Sequence, residues 1–124
     1  MVEFAMVASV FLLLLFGIME MGFAVYNYNT ACSAAREAVR YAIVHSPTGP
    51  NPATTSQIKQ VAINYAPALN LTPSDINVTF PADPNLPSQD DAQVTISYNY
   101  HLQVPFLSPV TLKLTSTSQM LVSQ

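Results

Sequence analysis

The sequence is short of charge, glycine and cysteine, and one long stretch of it holds no proline. Only 9% of its 124 residues are charged, against roughly 25% in a typical soluble domain. Between Phe4 and Asn27 the sole charged side chain is Glu20. Four basic residues (Arg36, Arg40, Lys59 and Lys113) against seven acidic ones leave a net charge of −3. With no basic patch to neutralise phosphates, nucleic acid is excluded as a partner. A single cysteine, Cys32, excludes an intrachain disulfide. It falls among Ala31, Ala34 and Ala35 in a helical pattern and reads as a small buried residue. Ten prolines stand against three glycines, and none precedes Pro47. The chain therefore divides near residue 46 into an uninterrupted helix former and a loop-rich part, within one small domain by length.

Groups that carry chemistry are equally sparse. His45 and His101 are far apart in sequence and have no Cys or carboxylate at metal-ligand spacing. Asp83, Asp90 and Asp91 do not match a calcium-loop spacing and read as solvated acids. No nucleophile–base arrangement, phosphate loop or G-x-S-x-G motif is present. The sequence thus points to no catalytic residue, no cofactor and no metal site, and the expectation is a protein that is not an enzyme. Asn70-Leu-Thr and Asn77-Val-Thr match the glycosylation tripeptide, and the Ser/Thr tract 115–118 offers hydroxyls, but such short patterns arise by chance.

What is present is a long helix signal. Residues 4–26, FAMVASVFLLLLFGIMEMGFAVY, give 23 residues with one ionisable group. A bilayer core needs about 20 helical residues. A cleaved signal peptide wants a basic start and a short apolar run. Here the start is MVEF, and the helical pattern continues well beyond the apolar run. Two readings remain at this level: a plain membrane anchor, or a helix that first spans a membrane and later packs in the core of a helical assembly. The pattern continues through Ala31, Ala34, Ala35, Ala38, Val39, Ala42 and Ile43, spaced i, i+3, i+4, i+7, i+8. Ser33, Arg36, Glu37 and Arg40 lie largely off that stripe, with Glu37 and Arg40 in reach of each other at i, i+3. One helix over residues 1–45 is expected, apolar all round in its lower half and amphipathic in its upper half, where a small domain can dock.

Glu3 and Glu20 are the odd residues, because a carboxylate in an apolar span needs a partner or a proton. Glu3 lies either solvated at the membrane surface or against a partner across a subunit interface. Glu20 either marks the end of the hydrocarbon stretch or finds a partner in the same way.

Residues 46–124 read as a globular helix-plus-sheet part. SPTGPNPA, 46–53, is a linker by composition. Thr54 and Gln57 have capping-box spacing. Ile58, Val61, Ala62, Tyr65 and Ala66 then form one apolar helical face that stops before Pro67. Period-2 alternation follows at Ile76–Phe80, at Val94–Val104 and at Val110–Leu114, resuming weakly toward Met120 and Val122. PFLS at 105–108 is a hairpin loop and PADPNLPSQDD at 81–91 a long exposed one. The fold class is α+β: a long N-terminal hydrophobic helix, a short second helix, and a small antiparallel sheet of three or four strands covering both.

The first 45 residues also carry an ordered set of motifs: Val2-Glu3-Phe4-Ala5, Phe16-Gly17-Ile18-Met19-Glu20, Tyr26-Asn27-Tyr28-Asn29, and Ala34-Ala35-Arg36-Glu37-Ala38-Val39-Arg40-Tyr41-Ala42. In order and spacing they resemble the N-terminus of TadE-like pilin proteins of the tight-adherence, type IV-like pilus systems. The family's acid stands fifth after processing, where here it is third, and Phe23 stands where a basic residue is common. The resemblance implies a pilin-like fold and a precursor in the inner membrane, cleaved by a prepilin peptidase. The subunit is then passed by the pilus assembly machinery into an extracellular filament of many copies that serves adhesion or surface attachment. It also implies that Glu3 pairs with a neighbouring subunit's N-terminal amine. On this reading Glu3, Phe4, Phe11, Phe16, Glu20, Arg36 and Arg40 are the candidate assembly residues. The alternatives are a minor pilin in a tip or priming complex, or a membrane-anchored extracytoplasmic binding domain.

Overall fold

A computed structural model describes residues 1–45, 51–81, 91–103 and 109–121. Much of the expected linker, residues 82–90 of the expected loop with Asp83 and Asp90, the 105–108 turn, and Val104 and Val122 lie outside the described residues; Asp91, expected in that loop, opens a strand instead.

Helix α1 runs Val2–Val44, 43 residues, or about 65 Å at 1.5 Å per residue. Nothing in this stretch interrupts the backbone ladder. The hydroxyls of Ser9 and Thr30 donate to the carbonyls of Ala5 and Tyr26 at 2.7 and 2.9 Å, so these polar groups are satisfied within the helix. α1 ends ahead of Ser46-Pro47, as the restriction on a residue preceding proline requires. Helix α2, Thr55–Tyr65, opens with the expected capping box. The Thr54 amide donates to Gln57 Oε1 at 2.9 Å, and the Gln57 amide donates to Thr54 Oγ1 at 3.4 Å. A 3-10 turn, Pro67–Leu69, follows and closes on Asn70 in the left-handed conformation at φ 47°, which asparagine tolerates.

Three strands complete the chain: β1 Ile76–Thr79, β2 Asp91–Leu102 and β3 Val110–Leu121. They form one antiparallel sheet in the order β1-β2-β3, within the expected range. Ile76 pairs with Ile96, Ile96 with Ser116, Tyr98 with Leu114, and Tyr100 with Leu112. The even-numbered face of β2 looks inward, and Ala92, Val94 and Ile96 are fully buried.

The core unites the upper half of α1 with α2 and the sheet. Ala31, Ala34, Ala35, Ala38, Val39 and Ala42 pack with Ile58, Ala62, Ala66, Leu69, Ile76, Val94 and Ile96. The alanines keep the α1 surface flat, so its neighbours approach closely. The larger buried side chains, Ile58, Leu69, Ile76 and Ile96, each stabilise the fold by about 1.5–3 kcal/mol. α2 runs back along α1: the Ala53 amide donates to the His45 carbonyl at 2.9 Å, while the Tyr65 hydroxyl reaches Glu37 at 3.3 Å.

Three side chains depart from the pattern reading. Tyr65 is 56% exposed, because its ring lies at the rim of the α1–α2 seam, where its hydroxyl can reach Glu37. Glu37, expected beside Arg40, takes that hydroxyl as donor. Cys32 is only half-buried and accepts a hydrogen bond from Ser116 Oγ at 3.2 Å. At this contact of β3 with α1 the inward residue is a serine, small enough to fit.

Candidate membrane and assembly surface

The site is a length of helix rather than a pocket. Over its most apolar 18-residue window α1 has a mean hydropathy of 2.4, and none of that window is buried within the chain. Phe4 is 78% exposed and Phe11 61%. A contiguous apolar surface of this size is not stable in water and needs cover from outside the chain. An N-terminal apolar helix of this length suggests anchoring in a membrane.

The seven candidate residues are strung along α1 and do not converge. Glu3 is exposed in the first turn, where a carboxylate is favoured by the helix dipole. Glu20 stands 17 residues on, about 26 Å away. Arg36 and Arg40 are exposed on the upper half, about 24 and 30 Å beyond Glu20. Phe4 and Phe11 share one stripe at a spacing of seven, whereas Phe16 lies about a third of a turn round from Phe4. No single partner group can touch all three rings at once.

Glu20 is the exception to this isolation. It is half-buried, and its Oε2 accepts a hydrogen bond from the Tyr100 hydroxyl at 2.7 Å. The carboxylate at the end of the apolar stretch therefore has a donor within its own chain. Burial, then the adjacent Glu20 carboxylate, push the Tyr100 phenol up to about 12. The alternation over Val94–Val104 puts Tyr100 on the inward strand face and assigns it no role. The available signal was mutual need: a partly buried tyrosine hydroxyl seeks a partner, as does a carboxylate in an apolar span.

Gly17 and Gly22 add a second feature. A Cβ at either position would meet nothing within 4 Å, so packing within the chain does not require glycine at either place. Each weakens an isolated helix by roughly 1 kcal/mol relative to alanine.

Over residues 1–40 the chain matches the TadE-like protein family. The TadE-like stretch contains all seven candidate residues and both glycines and ends inside α1, before α2 and the sheet begin. No curated protein and no solved structure matches the chain.

Of the other groups considered for chemistry, His101 is exposed and its Nδ1 lies 3.0 Å from Thr111 Oγ1. Asp91 Oδ2 accepts from Gln119 Nε2 at 2.6 Å. Among the described residues no three of His, Cys, Asp and Glu cluster in a way that could hold a metal ion.

Proposed function

We propose that the chain is a structural, non-catalytic subunit of a Tad-type, type IV-like pilus. It is held in the inner membrane by α1 as a precursor and then polymerised into an extracellular filament used in adhesion or surface attachment. The observation that carries this reading is the division of α1. Its upper half carries a finished core on one face, while the most apolar 18-residue window of its lower half is bare. Lipid covers such a helix before assembly, and the α1 helices of neighbouring copies cover it afterwards. Exchanging lipid for another apolar surface releases little hydrophobic free energy, so close packing and paired polar groups must drive assembly. Gly17 and Gly22 suit close packing, having no role inside the chain. Glu3, exposed at the tip of α1, suits polar pairing with a neighbour's terminal amine.

The test is Glu3→Ala in the producing cell. Membrane insertion should be unchanged and the yield of sheared filaments reduced. A normal yield would remove Glu3 from the assembly mechanism. The wild-type chain should dominate the sheared material. A trace amount there would favour a minor subunit, and complete retention in the membrane fraction an anchored binding domain.

A further inference from the structure

Two contacts fix how the sheet lies along α1. Ser116 touches Cys32. Tyr100, which pairs with Leu112, touches Glu20. Going down β3 from Ser116 to Leu112 therefore accompanies going down α1 from Cys32 to Glu20. The last pair of the β2–β3 ladder, Leu102 with Val110, lies two residues further, about 7 Å along the strands. A hydrocarbon core of about 20 helical residues counted from Phe4 ends near Phe23. The Glu20–Tyr100 bond thus falls at the edge of that core, with Leu102 and Val110 on its N-terminal side.

The side chains at this end suit that position. Leu102, Val110 and Leu112 all lie on the α1-facing side of the sheet. Val110 is nonetheless 50% exposed and Leu112 39%, so α1 does not cover them. The alternation puts both on the inward face, yet at this end of the sheet they stay open. Tyr26 and Tyr28 are exposed on α1 just above the edge, where aromatic rings with polar tips favour the lipid–water boundary.

We propose that the Leu102–Val110 end of the β2–β3 pair seats in the headgroup–acyl boundary of the bilayer that holds α1, making the sheet a second membrane-contacting element. This rests on reading α1 as a membrane span. The seated strands fix the depth of α1, and the Glu20–Tyr100 bond ties the two inserted elements together. Extraction into a filament then lifts the strand end and the helix as one unit.

The chain has no tryptophan, so single substitutions give clean depth probes. The full chain is reconstituted in phosphatidylcholine–phosphatidylglycerol vesicles carrying lipids brominated at shallow or deep acyl positions. Three variants are compared: Phe11→Trp in the middle of the span, Val110→Trp, and Met120→Trp. Met120 faces the same side of the sheet at its far end and is 41% exposed, so it controls for local apolarity. Deep bromines should quench Phe11→Trp, and shallow bromines should quench Val110→Trp about twofold or more over Met120→Trp. Leu102→Trp, on the facing strand, repeats the measurement should Val110→Trp fail to fold by circular dichroism. If Phe11→Trp is quenched while Val110→Trp and Leu102→Trp behave like Met120→Trp, the strand end lies in water and this proposal falls alone. An unquenched Phe11→Trp would overturn the membrane reading and the proposal together.

Discussion

Residues 4–23 and residues 31–42 belong to one unbroken helix, yet they solve opposite problems. The upper segment is rich in alanine and has one stripe enclosed; Ala34, Ala35, Ala38, Val39 and Ala42 are at 0% exposure, while Ser33, Arg36 and Arg40 face outward. The lower segment carries Leu, Phe, Val and Met and is bare. Judged by hydrophobicity alone, the lower segment would be the core. What decides is the size of the side chains: small ones let two layers close over α1, while large ones on every face leave no polar side to turn outward. Such a segment requires a different solvent, either lipid or other apolar helices.

This contrast breaks most visibly if the two segments respond alike to the same loss of volume. Ile96→Ala removes a fully buried side chain from the core over the upper segment and should cost about 2–5 kcal/mol. Leu13→Ala, on the bare segment, should change the stability of the helix-plus-sheet part by no more than about 0.5 kcal/mol. Urea unfolding of the full chain in detergent, followed by near-ultraviolet circular dichroism, measures both. Equal losses would mean that the lower segment packs against the sheet after all.

The bond joining the two regimes should respond next. Tyr100→Phe leaves the half-buried Glu20 carboxylate without its donor at 2.7 Å and should cost about 1–3 kcal/mol in the same experiment. Glu20→Gln, which keeps an acceptor oxygen, should cost less. If the order is reversed, the charge on Glu20 contributes more than its geometry.

Gly22→Ala sharpens the comparison from the other side. With nothing within 4 Å of the new methyl, the isolated helix should gain roughly 1 kcal/mol and the folded monomer should lose nothing. If α1 helices pack closely in the filament, the same substitution should lower filament yield. A stabilised monomer with undiminished assembly would place Gly22 away from the helix–helix contact.

Most of the local order was legible in the sequence. The absence of proline before Pro47 marks the span of α1, Thr54 and Gln57 mark the start of α2, and period-2 alternation gives the inward face of β2. What local pattern cannot carry is docking depth. Tyr100 and Glu20 are 80 positions apart, and no spacing rule relates them. Ser116 falls on the inward phase of the β3 alternation, but nothing in its polarity marks it as the most buried residue of β3, packed against Cys32. Val110 and Leu112 read as core and are half in the open, at the end of the sheet nearest the bare segment of α1. The functional candidates divide in the same way. Motif order picks out Glu3, Glu20, Arg36 and Arg40, but only the fold shows that Glu20 is already partnered.

The smallest expected effect is a proton equilibrium, and it separates the two causes acting on Tyr100. Its phenol is held up to about 12 against an unfolded value near 10. A raised acid favours its protonated form in the fold, so the contribution of this bond is fully present below about pH 10. It is lost as pH rises through about 12 and the hydroxyl ceases to donate. In a tyrosinate absorbance titration of the full chain in detergent, Tyr100 should ionise late, and Tyr100→Phe should remove that late step. Burial and the Glu20 carboxylate both raise it. Glu20→Gln removes the charge and leaves the burial, so it should bring the step only part of the way back toward 10. A complete return would mean that the carboxylate alone holds the proton, and that the strand end around Tyr100 is wetter than its place beside α1 implies.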